Sequence, residues 1–404
     1  MTKTDRHLVI LWPYVEWGGA QIYLLAIVKR AITDWDVTVA MPRASSPEII
    51  RYFQQTGVNI EWLDRRLDSD PAPTISRKIK RQINRVKSEW TIWKFISRFP
   101  SGSTAFHIET SPWQSWILLT LVALRGYNAF VTFHNPPGTY SRIRQLIWQT
   151  RVKFLTSLPR IHFFTANEFT KDRIRWLVRN RAWPRILVTR AAIDPTQIDK
   201  ALAVEDRRKE LRERFRIPDD ATVVLTVGQF IDRKGRWILI EAAKQLADDR
   251  SNVIFIWVSP TGMTGAEREK VNSYGLDDSF KLIESAAIGA SREDIIEFYR
   301  MADIFALPSF VEGLPIALLE AMAMGLPVIT TDIFAIPEAV ENDVTGILVE
   351  PGDDRALASA IRELQRDPQL RSRLAKAGRE FVLVKFDERD AADAAIARYA
   401  EAIG

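Results

Sequence analysis

The 404-residue chain has no cysteine, which excludes disulfides, thiolate metal sites and cysteine nucleophiles and is compatible with a reducing compartment. Histidine is scarce as well: with four in all, no group of residues has the spacing of a metal site, and no cofactor is expected. Long apolar runs are missing. The best, Trp116 to Leu124, falls far short of the roughly 20 residues that a membrane-spanning helix needs. The short apolar stretch from Leu8 is broken by Pro13 and followed by Glu16 with no small-residue cleavage region, so it does not read as a secretory signal. The expected location is cytoplasmic, with room for peripheral attachment to the inner face of a membrane.

What is present points to an enzyme-sized globular protein. Apolar residues at 47% and charged residues at 26% exclude disordered and fibrous classes. The length favours two domains, each with its own core. Charge is split between the halves. Residues 1–200 hold 30 Lys/Arg against 15 Asp/Glu, a net +15, and residues 201–404 hold 26 against 36, a net −10. A basic first half suits an anionic partner, either a membrane surface or a phosphorylated acceptor. Nucleic acid is not expected, since no recognition motif accompanies the charge.

Short β-rich runs alternate with helix-length segments, the rhythm of parallel sheets. The first set is His7 to Trp12, Val37 to Met41, Val58 to Leu63, Ala105 to Ile108, Phe130 to His134 and Ile161 to Thr165. The second is Val223 to Val227, Val253 to Val258, Ile304 to Leu307, Val328 to Thr331 and Gly346 to Val349. The expected architecture is α/β, with two Rossmann-like domains. Their boundary is expected near residues 190–220, where charged helix-formers from Glu205 to Arg216 lead into a Pro218-Asp219-Asp220 turn.

The most informative stretch runs from Phe305 to Asp332. A strand ending at Leu307 is followed by Pro308-Ser309, then Glu312-Gly313-Leu314-Pro315, then a helix closed by Gly325 and Pro327. From Pro315 to Ile329 Glu320 is the one residue that is not apolar, glycine or proline, and a carboxylate in a buried helix needs a partner. Parallel sheets bind ligands at the carboxyl ends of their strands, where helix N-termini hold phosphates. A diphosphate at residues 313–316 would leave Glu312 facing a sugar. Glu320, about 8 Å along the helix axis from Pro315, would reach a ribose. The other reading makes Glu312 a solvated loop residue and pairs Glu320 internally with an arginine.

A glutamate, seven residues and a second glutamate, set within Ala306-Leu307-Pro308-Ser309-Phe310-Val311-Glu312-Gly313-Leu314-Pro315 and Glu320-Ala321-Met322-Ala323-Met324-Gly325-Leu326-Pro327-Val328-Ile329, resembles the large retaining glycosyltransferase family four. Other pieces follow in order: Gly18-Gly19-Ala20, Thr132-Phe133-His134, Lys234-Gly235, Ala302-Asp303, Ile336-Pro337-Glu338, Gly346-Ile347-Leu348-Val349 and Pro351-Gly352-Asp353. The resemblance implies the GT-B architecture, two facing Rossmann-like domains with a cleft between them. Residues 1–195 would bind the acceptor and 196–380 the nucleotide sugar, with 381–404 a final helix packing back toward the first domain. It further implies retention at the anomeric carbon, a histidine at position 134 contacting the donor sugar, and phosphate contacts by Gly313, Leu314, Pro315 and Ile316 without a metal.

The remaining candidates follow from position. Gly228-Gln229-Phe230-Ile231-Asp232-Arg233-Lys234-Gly235 succeeds the first strand of the second domain, and Lys234 offers a compact cation for a diphosphate. The family usually has arginine where this chain has Gln229, a loss that Arg233 would offset. Gly18 and Gly19 would let backbone approach a ligand in the first domain. His134 and His107 both lie at strand ends and compete for one role. His134 is favoured by the Asn135-Pro136-Pro137 that follows it. Asp34 and Asp36 imitate an Asp-x-Asp metal motif but fall on the amino side of the sheet. Residues 77–99 form a basic amphipathic helix with Ile79, Ile83, Val86, Trp90 and Trp93 along one stripe. That stripe either meets an anionic membrane or docks on the domain's own core.

The combined expectation is a retaining, metal-independent hexosyltransferase of cell-surface polysaccharide or glycolipid synthesis. Its partners would be a nucleotide-sugar donor and a glycan or lipid-linked acceptor. The rival is a non-catalytic nucleotide-sugar-binding or partner-binding protein of the same fold, prompted by Gln229 and by Arg190-Ala191-Ala192-Ile193-Asp194, where the family tends to have Asn-Gly. A nucleotide-sugar epimerase would need acid and base groups that the sequence does not offer. Ser259-Pro260-Thr261-Gly262-Met263 lacks the family's usual glycine-rich turn, which leaves the base unassigned.

Overall fold

The structure, a computed structural model, describes residues 6–15, 19–67, 74–138, 140–203, 207–289 and 291–404. The chain forms two compact units, Met1–Ala191 with Glu388–Gly404, and Ala192–Asp387. Each has its own apolar core.

The first unit is built on a seven-stranded parallel sheet of His7–Leu11 (β1), Asp36–Pro42 (β2), Asn59–Leu63 (β3), Thr104–Ile108 (β4), Asn128–Phe133 (β5), Ile161–Thr165 (β6) and Leu187–Val188 (β7), in the order β3-β2-β1-β4-β5-β6-β7. Its central strands are apolar on both faces because helices cover both. These include Gly19–Ala31 (α1), Pro47–Gln55 (α2), Ile75–Ile96 (α3), Trp116–Leu124 (α4) and Arg142–Leu155 (α5). Right-handed crossovers put α1 and α2 on one face and α3, α4 and α5 on the other. Side-chain caps mark two of the helix starts: Ser46 accepts from the Glu48 N–H and Thr74 from the Arg77 N–H. The last helix, Glu388–Ile403, packs on α1, where Lys29 meets Glu388 at 3.2 Å and Arg30 meets Asp393 at 2.6 Å.

The second unit has a six-stranded parallel sheet of Thr222–Val227 (β8), Val253–Ser259 (β9), Phe280–Glu284 (β10), Ile304–Leu307 (β11), Val328–Thr331 (β12) and Ile347–Val349 (β13), in the order β10-β9-β8-β11-β12-β13. Two strands, β7 and β10, escape a sequence reading. β7 is two residues long, and β10 is an edge strand bearing Lys281 and Glu284.

The change of unit comes at Ala191–Ala192 and Asp387–Glu388, and the final helix starts at Glu388 rather than near 381. The charged run that the sequence marks as a boundary lies, where described, inside the second unit. Arg208 and Arg212 pair with Asp303 at 2.6 and 2.8 Å, and Arg212 also donates to the carbonyls of Pro218, Asp219 and Ala221. A helix this charged is retained because its arginines satisfy buried carbonyls. Among the described residues no helix is long and apolar enough to cross a membrane.

Candidate functional site

Each sheet reverses its strand order once, between β1 and β4 and between β8 and β11. The carboxyl ends at such a reversal splay the following loops apart, which makes a ligand crevice. In the second unit these loops are 228–235 and 308–316. In the first they lead into α1 and out of β4 at Glu109.

The two second-unit loops are tied together. The Phe310 N–H donates to the Arg233 carbonyl at 2.9 Å, and Thr331 Oγ1, at the end of β12, anchors the second loop by donating to the Ser309 carbonyl at 2.7 Å. Gly235 is required twice over: its φ is +74°, and a Cβ there would lie 1.9 Å from the Pro308 carbonyl oxygen. The loops bring Lys234 Nζ to 2.6 Å from Glu312 Oε1, which also accepts from Ser309 Oγ at 2.8 Å. Both side chains are largely buried, and the Lys234 stem runs past Gly228. Arg233 is more exposed, 3.7 Å from Glu312 Oε2, and donates to the Val311 carbonyl. Gln229 opens the same loop, half-buried and with partners of its own. Glu312 is therefore a buried, paired carboxylate and not a solvated loop residue.

Gly313 and Leu314 lead to Pro315, the N-cap of the helix Ile316–Ala323, and no side chain caps that helix. Its first amide groups point out of the strand end, as they do where helices receive anions. The helix closes at Gly325, φ +78°, with the Leu326 N–H returning to the Ala321 carbonyl.

Glu320 has taken an internal partner. Arg292 NH2 pairs with its Oε1 and the Tyr299 hydroxyl donates to Oε2 at 3.0 Å, with the carboxylate 4% exposed. Burial and the adjacent Glu320 charge push the Tyr299 hydroxyl well above its ordinary value, so it remains a donor. The arginine partner of the second reading is thus present, and an ionised carboxylate with one partner on each oxygen retains further acceptor capacity. The arginine that satisfies it lies 28 residues upstream, too far for sequence spacing to reveal.

In the first unit the structure separates the two histidines. His107 in β4 is fully buried, sharing hydrogen bonds with Tyr399 of the last helix at 2.5 Å and Thr132 at 2.9 Å. His134, just beyond β5, is 24% exposed, and its Nε2 lies 3.0 Å from Glu109 Oε2. The other oxygen, Oε1, is 3.2 Å from His107 Nε2 but has no well-aligned donor. Burial alone would raise the Glu109 pKa. The charge interaction with His134, its hydrogen bond and the close approach of the His107 imidazole outweigh it and bring the carboxyl to about 2. The Tyr23 ring stands edge-on to His134 at 5.5 Å. Glu109 was missed by motif reading. The signal available was a lone carboxylate directly after an apolar strand. Gly19 is the exposed first residue of α1, and Gly18 lies outside the described residues. Asp36 opens β2 and pairs with His7 at 2.9 Å, at the amino ends of the strands.

Residues 207–381 match the family model of glycosyl transferases group 1. The chain is 32% identical over 232 residues to an alpha-D-kanosaminyltransferase of Streptomyces kanamyceticus, covering 57% of this chain and 58% of that protein. It is 31% identical over 188 residues to the amylovoran biosynthesis glycosyltransferase AmsK of Erwinia amylovora, covering 45% and 42%. The chain thus spans about half the length of the curated relatives it matches. The crystal structure of Anabaena HepE in complex with UDP-glucose superposes with a TM-score of 0.73 at 16% identity, over 98% of this chain and 99% of that one, which shows a shared GT-B fold. Residues 207–381 of the second unit are thus similar to the glycosyl transferases group 1, and the two parallel sheets with the structural likeness show that the chain has the GT-B fold.

Proposed function

We propose that the chain moves a hexose-type sugar, with retention of anomeric configuration, from a nucleoside diphosphate donor held by the second unit to a glycan or lipid-linked acceptor. The observation that carries this reading is the buried Lys234–Glu312 pair at the β8/β11 reversal, beside a helix start that no side chain caps. Without a ligand, Glu312 neutralises Lys234, which makes burial of the cation tolerable. A diphosphate takes over that partnership. Lys234 and the amides at residues 313–316 then face the leaving phosphate, and the released Glu312 carboxylate accepts from sugar hydroxyls.

The C1–O bond to phosphate breaks as a bond from C1 to the acceptor oxygen forms on the same face, and the acceptor proton passes to the departing phosphate. The negative charge that grows on that phosphate is balanced by Lys234 and helix amides, the work a divalent metal does elsewhere, so the reaction is metal-independent. In the first unit His134, oriented by Glu109, is the polar group offered to the sugar. The similarity to AmsK, an amylovoran biosynthesis glycosyltransferase by name, and the UDP-glucose bound in HepE support the donor class and a role in cell-surface polysaccharide or glycolipid synthesis.

The test is incubation of purified protein with a panel of nucleotide sugars and candidate acceptors, with and without chelator. Release of nucleoside diphosphate together with an α-linked product from an α-linked donor, at a rate unchanged by chelation, is expected. Donor binding without hydrolysis or transfer under any of these conditions would make the chain a binder.

A further inference from the structure

Eighteen large apolar side chains are exposed among the described residues, and eleven of them lie on α3, α4 and α5. These helices are neighbours on one face of the first sheet, α4 touching both α3 and α5. The exposed residues keep helical register. On α3 they are Ile79, Ile83, Val86 and Trp90, each more than half exposed, while Ile92, Phe95 and Ile96 turn into the core. On α4 they are Ile117, Leu121 and Leu124, opposite the buried Leu118, Leu119 and Val122. On α5 they are Ile143, Leu146, Ile147 and Phe154, opposite Trp148, Val152 and Leu155. Each helix therefore carries two apolar stripes, one for the domain core and one pointing away from it. A soluble surface seldom keeps so extended an apolar area without a partner.

The charge beside these stripes is of one sign. The three helices hold eleven Lys/Arg and one carboxylate, Glu89, which Arg85 neutralises at 3.1 Å. Lys94 and Arg144 lie over the rings of Trp90 and Tyr140, an arrangement suited to a headgroup layer, where aromatic rings and cations lie together.

We propose that α3, α4 and α5 together form a docking face for an anionic lipid bilayer, with the outward stripes entering the acyl boundary and the cations meeting lipid phosphates. The face lies wholly within the first unit, so the proposal does not rest on the transfer reaction. A second copy of the chain fits less well, because a two-fold pairing would set two cationic rims against each other. The bilayer supplies both the apolar phase and the counter-charge.

The experiment is vesicle co-sedimentation with the full chain at about 0.1 M salt, where charges on the surface still act over roughly 10 Å. Neutral phosphatidylcholine vesicles are compared with vesicles containing phosphatidylglycerol. Because the chain has no cysteine, single replacements Val86→Cys, Leu124→Cys and, on the opposite face, Gln55→Cys each accept one polarity-sensitive fluorophore. The expected result is binding to the anionic vesicles at least about tenfold tighter than to neutral ones, and as large a loss for Leu124→Ser/Ile143→Ser/Leu146→Ser or for Lys78→Glu/Lys80→Glu/Lys87→Glu. Labels at 86 and 124 shift to the blue on binding, and the label at 55 does not. All substituted positions are exposed, so the melting temperature should not move. Absence of anionic preference, unchanged labels at 86 and 124, or conversion of a dimer to a monomer by the serine variant would each overturn the proposal. The last outcome would assign the face to a second copy.

Discussion

The two units share a plan of parallel strands, one reversal of strand order and buried charges at the carboxyl edge, yet the charges differ in kind. All four histidines fall in residues 1–191, and residues 1–200 carry a net +15, whereas residues 201–404 carry −10 and no histidine. In the second unit the buried carboxylates Glu312 and Glu320 answer to a lysine and an arginine. In the first, Glu109 answers to two imidazoles. One edge is thus a fixed electrostatic cradle, suited to a polyanion. The other sets a carboxylate between two imidazole rings.

The largest expected effect tests the cradle. Lys234→Met or Glu312→Gln should lower transfer by roughly 10²–10³-fold, the scale of losing a principal charge-stabilising group. Each single change also strands a buried partner. The double variant should recover melting temperature without recovering turnover, and wild-type-like rates in both single variants would refute the assignment.

Next is the second pair. Arg292→Met leaves Glu320 buried with the Tyr299 hydroxyl as its remaining partner from that cluster. Losing one member of a buried pair costs about 3 kcal/mol or more. At about 2–4 °C per kcal/mol for a unit of this size, the melting temperature should fall by roughly 6–12 °C. A shift under about 2 °C would mean that solvent already reaches the carboxylate.

The first unit should show its difference in acid. The folded Glu109 pKa near 2 lies below the ordinary 4.5, so this carboxylate stabilises the fold fully above about pH 4.5. That contribution fades as pH falls toward 2, and it amounts to something on the order of 3 kcal/mol. His162 acts earlier. Burial, with Arg398 and Arg185 nearby and opposed by Glu401, lowers it to about 4 from 6.5. The unfolded chain then binds a proton that the folded unit does not, and stability declines as pH drops from 6.5 to 4. Amide exchange in β4 to β6 should accelerate across both windows, while exchange in β8 and β11 changes less. Glu109→Gln should flatten the lower window alone.

The smallest effect concerns Gln229. Gln229→Arg adds a cation to the phosphate loop and should tighten binding of a nucleoside diphosphate by about fivefold, near 1 kcal/mol, measured by calorimetry. Unchanged affinity would place Gln229 outside the phosphate contacts.

Much of this was legible in the sequence. Ile161–Thr165, Ile304–Leu307 and Val328–Thr331 are legible to the residue, and the other eight strands named from the sequence lie within a residue or two at either end, because buried parallel strands are short apolar runs set off by turns. Lys234 and Glu312 could be named from position and motif, but their mutual pairing could not, since 78 residues separate them. Arg292 and Tyr299 as the partners of Glu320, and Tyr399 against His107 at a separation of 292 residues, leave no local trace at all. The outward stripe of α3 was visible as an amphipathic pattern. That α4 and α5 extend it is a matter of which strands their helices cross, and Trp116–Leu124 reads in isolation as ordinary core.

The most direct test of the account is hydrogen exchange of the wild-type chain with and without a saturating nucleoside diphosphate, resolved by segment. The Lys234–Glu312 cradle predicts new protection concentrated in residues 228–236 and 308–323 and absent in Lys234→Met. Protection elsewhere with these segments unchanged, or identical protection in the variant, would contradict it.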